Sequence, residues 1–171
     1  MPALARGVGI LLLCLATCGQ AQARCNVPRE ARSWLAGHSG WRMVELADLN
    51  PDDRPLWRKA YRGACPGYAR ARLDGSGVVH VAVAMLSAGR GARVERIMLF
   101  HGSNRPPRLM TSYHVQNLGV VRRLGPGRFG DVTDDRIVRN RHDSIQVEFL
   151  ETSSQLFYLS AGQLKNIWTS D

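Results

Sequence analysis

Histidines are the side chains of this sequence best suited to acid–base or metal chemistry, and there are five of them: His38, His80, His101, His114 and His142. No two lie at i,i+4 on a predicted helix or at i,i+2 on a predicted strand, the spacings that direct two rings at one ion. His80, His101 and His114 lie on neighbouring predicted strands, so the fold decides whether they meet. We predict no bound metal and no cofactor, with convergence of these three rings as the alternative.

Acidic residues offer a second route to hydrolytic chemistry. Asp131, Asp134 and Asp135 are close in sequence, and Glu148 and Glu151 lie in a predicted hairpin, so a carboxylate pair is an alternative. Acids beside turns ordinarily are solvated or cap the turn. We therefore assign no catalytic residue.

Two glycine patterns match chemical motifs only in part. Residues 125–130 spell G-x-G-x-x-G, but dinucleotide binding needs this pattern between a strand and a helix of a βαβ unit. No helix signal follows it, so we predict a loop. Residues 37–41 resemble a nucleophile elbow with Trp41 in place of the last glycine, and we predict a turn there.

The first 23 residues predict a secretory signal peptide. Arg6 precedes an apolar run over residues 8–16, and residues 21–23 form a small-x-small cleavage signal. A lipoprotein is the alternative, because residues 15–18 approximate a lipidation box that ends at Cys18. We predict a periplasmic or secreted protein whose mature chain, residues 24–171, is a single domain.

Cleavage after Ala23 leaves two cysteines, Cys25 and Cys65. In an oxidising compartment we predict that these two cysteines form a disulfide. Closing a loop of that length stabilises a fold by roughly 4 kcal/mol on the chain-entropy model. Two free thiols, or a reactive cysteine, are the alternative.

The chain is strongly basic, with a formal net charge of +9 that becomes +8 when Arg6 leaves with the signal peptide. Of the 23 basic residues 21 are arginines, and only Lys59 and Lys165 are lysines. Such a charge favours anionic partners, namely nucleic acid, anionic lipid or cell-wall polymers. The arginines are scattered with little aromatic interleaving, which argues against a base-stacking platform. We favour genome bias towards arginine over a functional basic patch as the explanation of this composition.

The order of patterns along the chain predicts an α+β fold, with one or two short N-terminal helices packed on a mostly antiparallel β-sheet or meander. Helical spacing predicts helices over residues 28–36 and 50–61, the second capped by Asn50 and burying Leu56, Trp57 and Ala60. A nearly continuous apolar run predicts a central strand over residues 78–86. Further predicted strands cover residues 93–101, 108–115, 144–150, 155–160 and 163–168. Residues 41–49 and 119–138 are only weakly specified.

Two stretches carry a family resemblance. Cys65-Pro66-Gly67 leads through residues 72–77, Arg-Leu-Asp-Gly-Ser-Gly, to an apolar run that ends at Leu86, and residues 151–171 resemble a closing hairpin. This resembles exported bacterial proteins of unknown function with a C-P-G…D-x-D-G-D-G motif, akin to a single FG-GAP or VCBS-type repeat unit. The resemblance implies a turn and a strand rather than an activity.

The calcium ligands of that motif are degenerate here. Alternate loop positions that hold acids in the family pattern are Arg72, Asp74, Ser76 and His80 in this chain. A hard divalent ion needs several oxygen ligands, so we predict no calcium binding. We expect Gly75 and Gly77 to keep the turn geometry while Arg72 pairs with Asp74 or a neighbouring acid.

These observations leave three classes of function. The leading prediction is an exported non-catalytic module that binds a protein or an anionic envelope polymer. One alternative is a small secreted hydrolase that uses His80, His101 or His114 with an acid. The other is a basic protein that binds nucleic acid outside the cytoplasm.

Overall fold

The computed structural model describes residues 25–87, 95–102, 108–115, 118–149 and 153–169. Two short helices precede most of the strands, and a 3-10 turn at Leu46–Asp48 separates the first strand from the second helix. The elements in chain order are α1 (Arg29–Ala36), β1 (Trp41–Met43), α2 (Asp53–Ala60), β2 (Tyr68–Ala71), β3 (His80–Ser87), β4 (Glu95–His101), β5 (Arg108–Val115), β6 (Gly119–Leu124), β7 (Gly127–Asp131), β8 (Arg136–Asn140), β9 (Ser144–Phe149), β10 (Ser153–Ser160) and β11 (Gln163–Thr169).

The first sheet is built around β3, which pairs antiparallel with β4 on one edge, and β4 pairs with β5. The other edge of β3 is shared, because β2 pairs with its first half and β1 with its second half. Where β1 and β2 meet, a Cβ on Gly67 would lie 2.0 Å from the Val44 carbonyl oxygen, so only glycine fits. Alternate residues of β3 are buried on both faces, which explains its nearly continuous apolar sequence.

The second sheet has the strand order β11-β10-β9-β6, and its inner face packs against the inner face of the first. The shared core includes Ala82, Ala84 and Leu99 from the first sheet and Val121, Ile145, Val147 and Phe157 from the second. A main-chain hydrogen bond of 2.9 Å from Val121 to the Pro66 carbonyl joins the sheets along one side.

The remaining elements cover the outer faces. Ala31 of α1 packs with Val81 and Met98 on the first sheet, near the Cys25–Cys65 disulfide. Trp57 of α2 packs on Val120 of the second sheet. Strands β7 and β8 form a separate two-stranded ribbon, hereafter the β7–β8 ribbon.

The mostly antiparallel sheets and two short helices agree with the predicted α+β class, and the predicted disulfide is confirmed. The second helix was predicted too long, because it begins at Asp53 rather than after Asn50. The prediction of which α2 side chains are buried was also wrong in part. Trp57 is buried, whereas Leu56 is 64% exposed and Ala60 is exposed, because a helix of two turns packs only one face against the fold. The predicted turn at residues 89–91, the predicted loop at residues 104–107 and the first half of the turn predicted at residues 151–154 lie outside the described residues. The second half of that last turn was predicted wrongly, because Ser153 and Ser154 belong to β10.

Candidate functional site

The β7–β8 ribbon has one covered face and one open face. Phe129 and Val138, which are directly opposite each other, pack on Leu156, Tyr158 and Ile167 of the second sheet. Because side chains alternate along a strand, the intervening residues point away from that sheet. Those residues are Arg128, Gly130, Ile137 and Arg139, and all four are exposed.

Arg128 and Arg139 are directly opposite each other on the open face of the ribbon. Like charges in such a cross-strand pair destabilise a sheet. Within the described part of the chain neither guanidinium has an ion pair or a side-chain hydrogen bond. A single guanidinium can donate two parallel hydrogen bonds to a phosphate or a carboxylate, so two arginines at opposite positions of an exposed ribbon face are suited to bind an anion.

Charge is segregated along the ribbon. Two of the acids considered for a carboxylate pair, Asp131 at the end of β7 and Asp134 in the turn, bind Arg136, with nitrogen–oxygen distances of 3.0 Å and 3.2 Å. Asp131 is buried and also accepts a hydrogen bond from the Thr133 amide, while Asp135 has a left-handed backbone. The hydrogen bond to Asp131 raises the pKa of Arg136 above its ordinary value. These contacts engage Asp131 and Asp134 in holding the turn.

The G-x-G-x-x-G pattern lies largely on β7, so the predicted loop there was wrong. Gly127 to Gly130 are extended and pair with β8, because Phe129 has an apolar surface to cover. The element that follows is a strand rather than a helix. The arrangement therefore lacks the helix that dinucleotide binding requires.

Acids elsewhere in the fold are also bound to arginines. Asp143, which is buried, accepts hydrogen bonds from the Arg72 amide at 2.8 Å and contacts the Arg123 guanidinium at 3.0 Å. Similar pairs are Arg70 with Glu30, Arg42 with Asp48, and Arg122 with Glu148. Because internal contacts use so many acids, the excess positive charge is left on exposed arginines such as Arg128 and Arg139.

The predicted histidines come together only in part. His80 on β3 and His101 on β4 are opposite each other, with ring centroids 5.1 Å apart and the rings nearly perpendicular. His114 is opposite Arg96, at the other end of β4. His80 is only 1% exposed, so a substrate cannot reach its ring in this conformation. In the described ranges, no group of three or more His, Cys, Asp or Glu side chains is placed to hold a metal ion.

The degenerate ion loop has a defined set of contacts. Asp74 accepts hydrogen bonds from the amide and the hydroxyl of Ser76, and the Ser76 hydroxyl accepts one from the Val78 amide. Gly77 has a left-handed backbone with φ of +80°, as a tight turn requires. The acid beside Arg72 is Asp143, which binds its main chain. The contacts of Asp74 in the described residues are thus to Ser76 and not to the Arg72 guanidinium.

A concave surface lies between the N-terminal segment, α1 and β1. It is a groove of about 450 Å³ whose floor includes Val27, Leu35 and Met43. Its polar wall carries Arg42, which donates two hydrogen bonds to Asp48. Arg42 and Asp48 bind each other, and the third charged residue of the lining is Glu45.

Sequence reasoning missed Arg128, Arg139 and Asp143 as notable positions. The alternation of Arg128-Phe129-Gly130 with Ile137-Val138-Arg139 is the signal that predicts such a ribbon.

No helix among the described residues is long and apolar enough to cross a membrane. The chain matches no family model, no curated protein and no solved structure. The resemblance to a single FG-GAP or VCBS-type repeat unit therefore stays a prediction.

Proposed function

We propose that this chain is an exported, non-catalytic module that binds an anionic envelope polymer through the open face of the β7–β8 ribbon. The observation that carries the proposal is the cross-strand pairing of Arg128 with Arg139. Two like charges opposite each other bring no structural benefit to a ribbon. An anionic group bound between the two guanidinium groups removes their repulsion and gives the pair a role.

The surroundings of the pair favour a polymer that carries phosphate or carboxylate groups. A guanidinium forms two parallel hydrogen bonds with either group. Gly130 leaves the surface beside the pair open, and Ile137, which is 59% exposed, supplies one apolar contact. The signal-peptide pattern and the Cys25–Cys65 disulfide support an extracytoplasmic setting for this interaction.

Calorimetric titration of the purified exported chain with inorganic polyphosphate and with alginate tests the proposal and separates phosphate from carboxylate recognition. The double variant Arg128→Gln/Arg139→Gln is expected to bind about tenfold more weakly, because it loses two exposed ion pairs of about 0.7 kcal/mol each. The matched control is Arg58→Gln/Lys59→Gln, which removes the same charge from exposed positions on α2. The control is expected to bind nearly as well as the parent chain.

Equal weakening by both double variants would mean that net charge alone attracts the polymer, and would contradict the proposed surface. Failure of both polymers to bind would contradict the proposed function. A duplex DNA fragment serves as the third titrant. Tighter binding of DNA than of either polymer, lost in Arg128→Gln/Arg139→Gln, would favour the nucleic-acid alternative.

A further inference from the structure

His80 occupies an unusual place for a polar ring. It lies at the edge of the two-sheet core where residues 72–79, the end of β4 and Asp143 meet, hereafter the rim. It is the first residue of β3, and its side chain lies on the same face as Ala82 and Ala84, which belong to the core shared by the sheets. The side chain is almost fully buried, and within the described residues its Nδ1 atom has no hydrogen-bond partner. A buried ring in this position is stable only while it is neutral.

The charged and titratable groups around His80 come from every neighbouring element. Asp74 is the acid that acts on it electrostatically, and His101 is the ring that it contacts. The other groups near this rim are Arg72 after β2, Arg108 opposite His101 on β5, His142 beside Gly75, Asp143 at the start of β9, and Glu30 near Gly102. Burial first, and then the charge of His101, lower the pKa of His80 below its ordinary value of 6.5, against smaller opposing effects of Asp74 and the Val78 main chain.

The segment that leads into His80, residues 72–79, is held to the rest of the rim by Leu73, which is fully buried in the shared core, by the hydrogen bond from the Arg72 amide to the Asp143 carboxylate, and by two further main-chain hydrogen bonds. The Gly102 amide donates to the Val79 carbonyl at 2.9 Å, which joins the segment to the end of β4. The Asp143 amide donates to the Arg72 carbonyl at 3.0 Å, which joins it to the second sheet. Movement of this segment would break both hydrogen bonds and expose His80 to water.

We propose that His80 is an acid-sensitive latch: its protonation releases residues 72–79 from β4 and from the second sheet and opens the rim of the molecule. Burial of the ring and its contact with another histidine oppose protonation, and Asp74 and the Val78 main chain compensate only in part. The open form hydrates the charged ring, so acid favours opening. This inference is independent of the function proposed for the β7–β8 ribbon.

Hydrogen exchange of the Gly102 and Asp143 amides measures the latch directly. Below pH 6.5, the opening equilibrium is expected to rise by up to tenfold per pH unit once intrinsic exchange rates are corrected, because the open form binds one more proton. In His80→Leu, which cannot titrate, the corrected protection is expected to stay constant down to pH 5. His38→Gln, at an exposed histidine, is the matched control and should retain the pH dependence of the parent chain.

A ring titration of His80 by NMR in the unmodified chain keeps the test valid if His80→Leu does not fold. The ring is expected to stay neutral below pH 6.5 and to titrate together with the loss of Gly102 protection. A midpoint at or above 6.5, or protection that is the same at pH 7 and pH 5, would overturn the latch. So would a pH dependence that persists unchanged in a folded His80→Leu variant.

Discussion

Two regions of this molecule treat charge in opposite ways. At the rim, the buried carboxylate of Asp143 binds the Arg72 amide and the Arg123 guanidinium, so that its charge serves the fold. On the open face of the β7–β8 ribbon, Arg128 and Arg139 are opposite each other in solvent. The net charge of the chain therefore does not by itself indicate a binding surface. What matters is which charges internal contacts have used and which they leave exposed.

Removal of the disulfide has the largest expected effect. It lowers the stability of the whole fold without changing a residue of the rim or of the β7–β8 ribbon. Cys25→Ser/Cys65→Ser is expected to lower the free energy of unfolding by roughly 4 kcal/mol, because the cross-link closes a loop with a sequence separation of 40. Denaturant unfolding of the parent and variant chains measures this loss. A change below about 1 kcal/mol would mean that the unfolded chain is compact without the cross-link.

Asp143→Ala is expected to lower the free energy of unfolding by about 2 kcal/mol, because the Arg72 amide loses a charged acceptor at the rim. Asp134→Ala is the matched control, since it removes an acid that is exposed and also paired with arginine. We expect about 0.5 kcal/mol or less for the control. Equal losses in urea unfolding would contradict the view that the buried Asp143 carboxylate stabilises the fold more than the exposed Asp134 carboxylate does.

Arg139→Glu is expected to raise the stability of the fold by about 0.2–1 kcal/mol, because it replaces a like-charge pair with an opposite-charge pair opposite Arg128. The same substitution is expected to weaken binding of polyphosphate. Thermal unfolding and calorimetry on one preparation measure both effects. A loss of stability would show that the arginine pair is structural, and the contrast between the two regions would fail.

The smallest expected effect concerns the Asp74 carboxyl. Hydrogen bonds from Ser76 lower the pKa of Asp74 below its ordinary value of 3.8. A lowered pKa means that this carboxylate stabilises the fold above pH 3.8, and that the contribution is lost as the pH falls through the lowered value. In a carboxyl NMR titration, Ser76→Ala is expected to move the midpoint upward. A midpoint that Ser76→Ala leaves unchanged would show that another group is responsible.

The strands that were predicted well are those in which the pattern of apolar residues matches the faces that the core covers. Ile145, Val147 and Phe149 alternate with polar residues, and the pattern predicted β9 because one face of that strand packs in the core. The apolar run of β3 was equally informative because both of its faces are covered. The ribbon was missed because Ile137 is apolar although it lies on the open face, and only Phe129 and Val138 mark the buried face.

The candidate sites were harder to predict because they depend on strand register and on distant contacts. The sequence placed His80 and His101 on neighbouring strands, but only the register of β3 and β4 brings the rings into contact. Asp143 binds the amide of a residue 71 positions away, a separation that no local pattern encodes. The Arg128–Arg139 pair likewise follows from the register of the ribbon.

The shared edge of β3 has a consequence for how the chain assembles. In sequence, β4 follows β3 after one short connection. Trp41 of β1, in contrast, cannot pair with β3 until its partner Ser87 has been synthesised. Local hairpins close early and distant pairings close late, so β3 is expected to pair with β4 before it pairs with β1. During synthesis the apolar residues of α1 and β1 therefore emerge before the strands that bury them. That interval is when this chain is most exposed to aggregation.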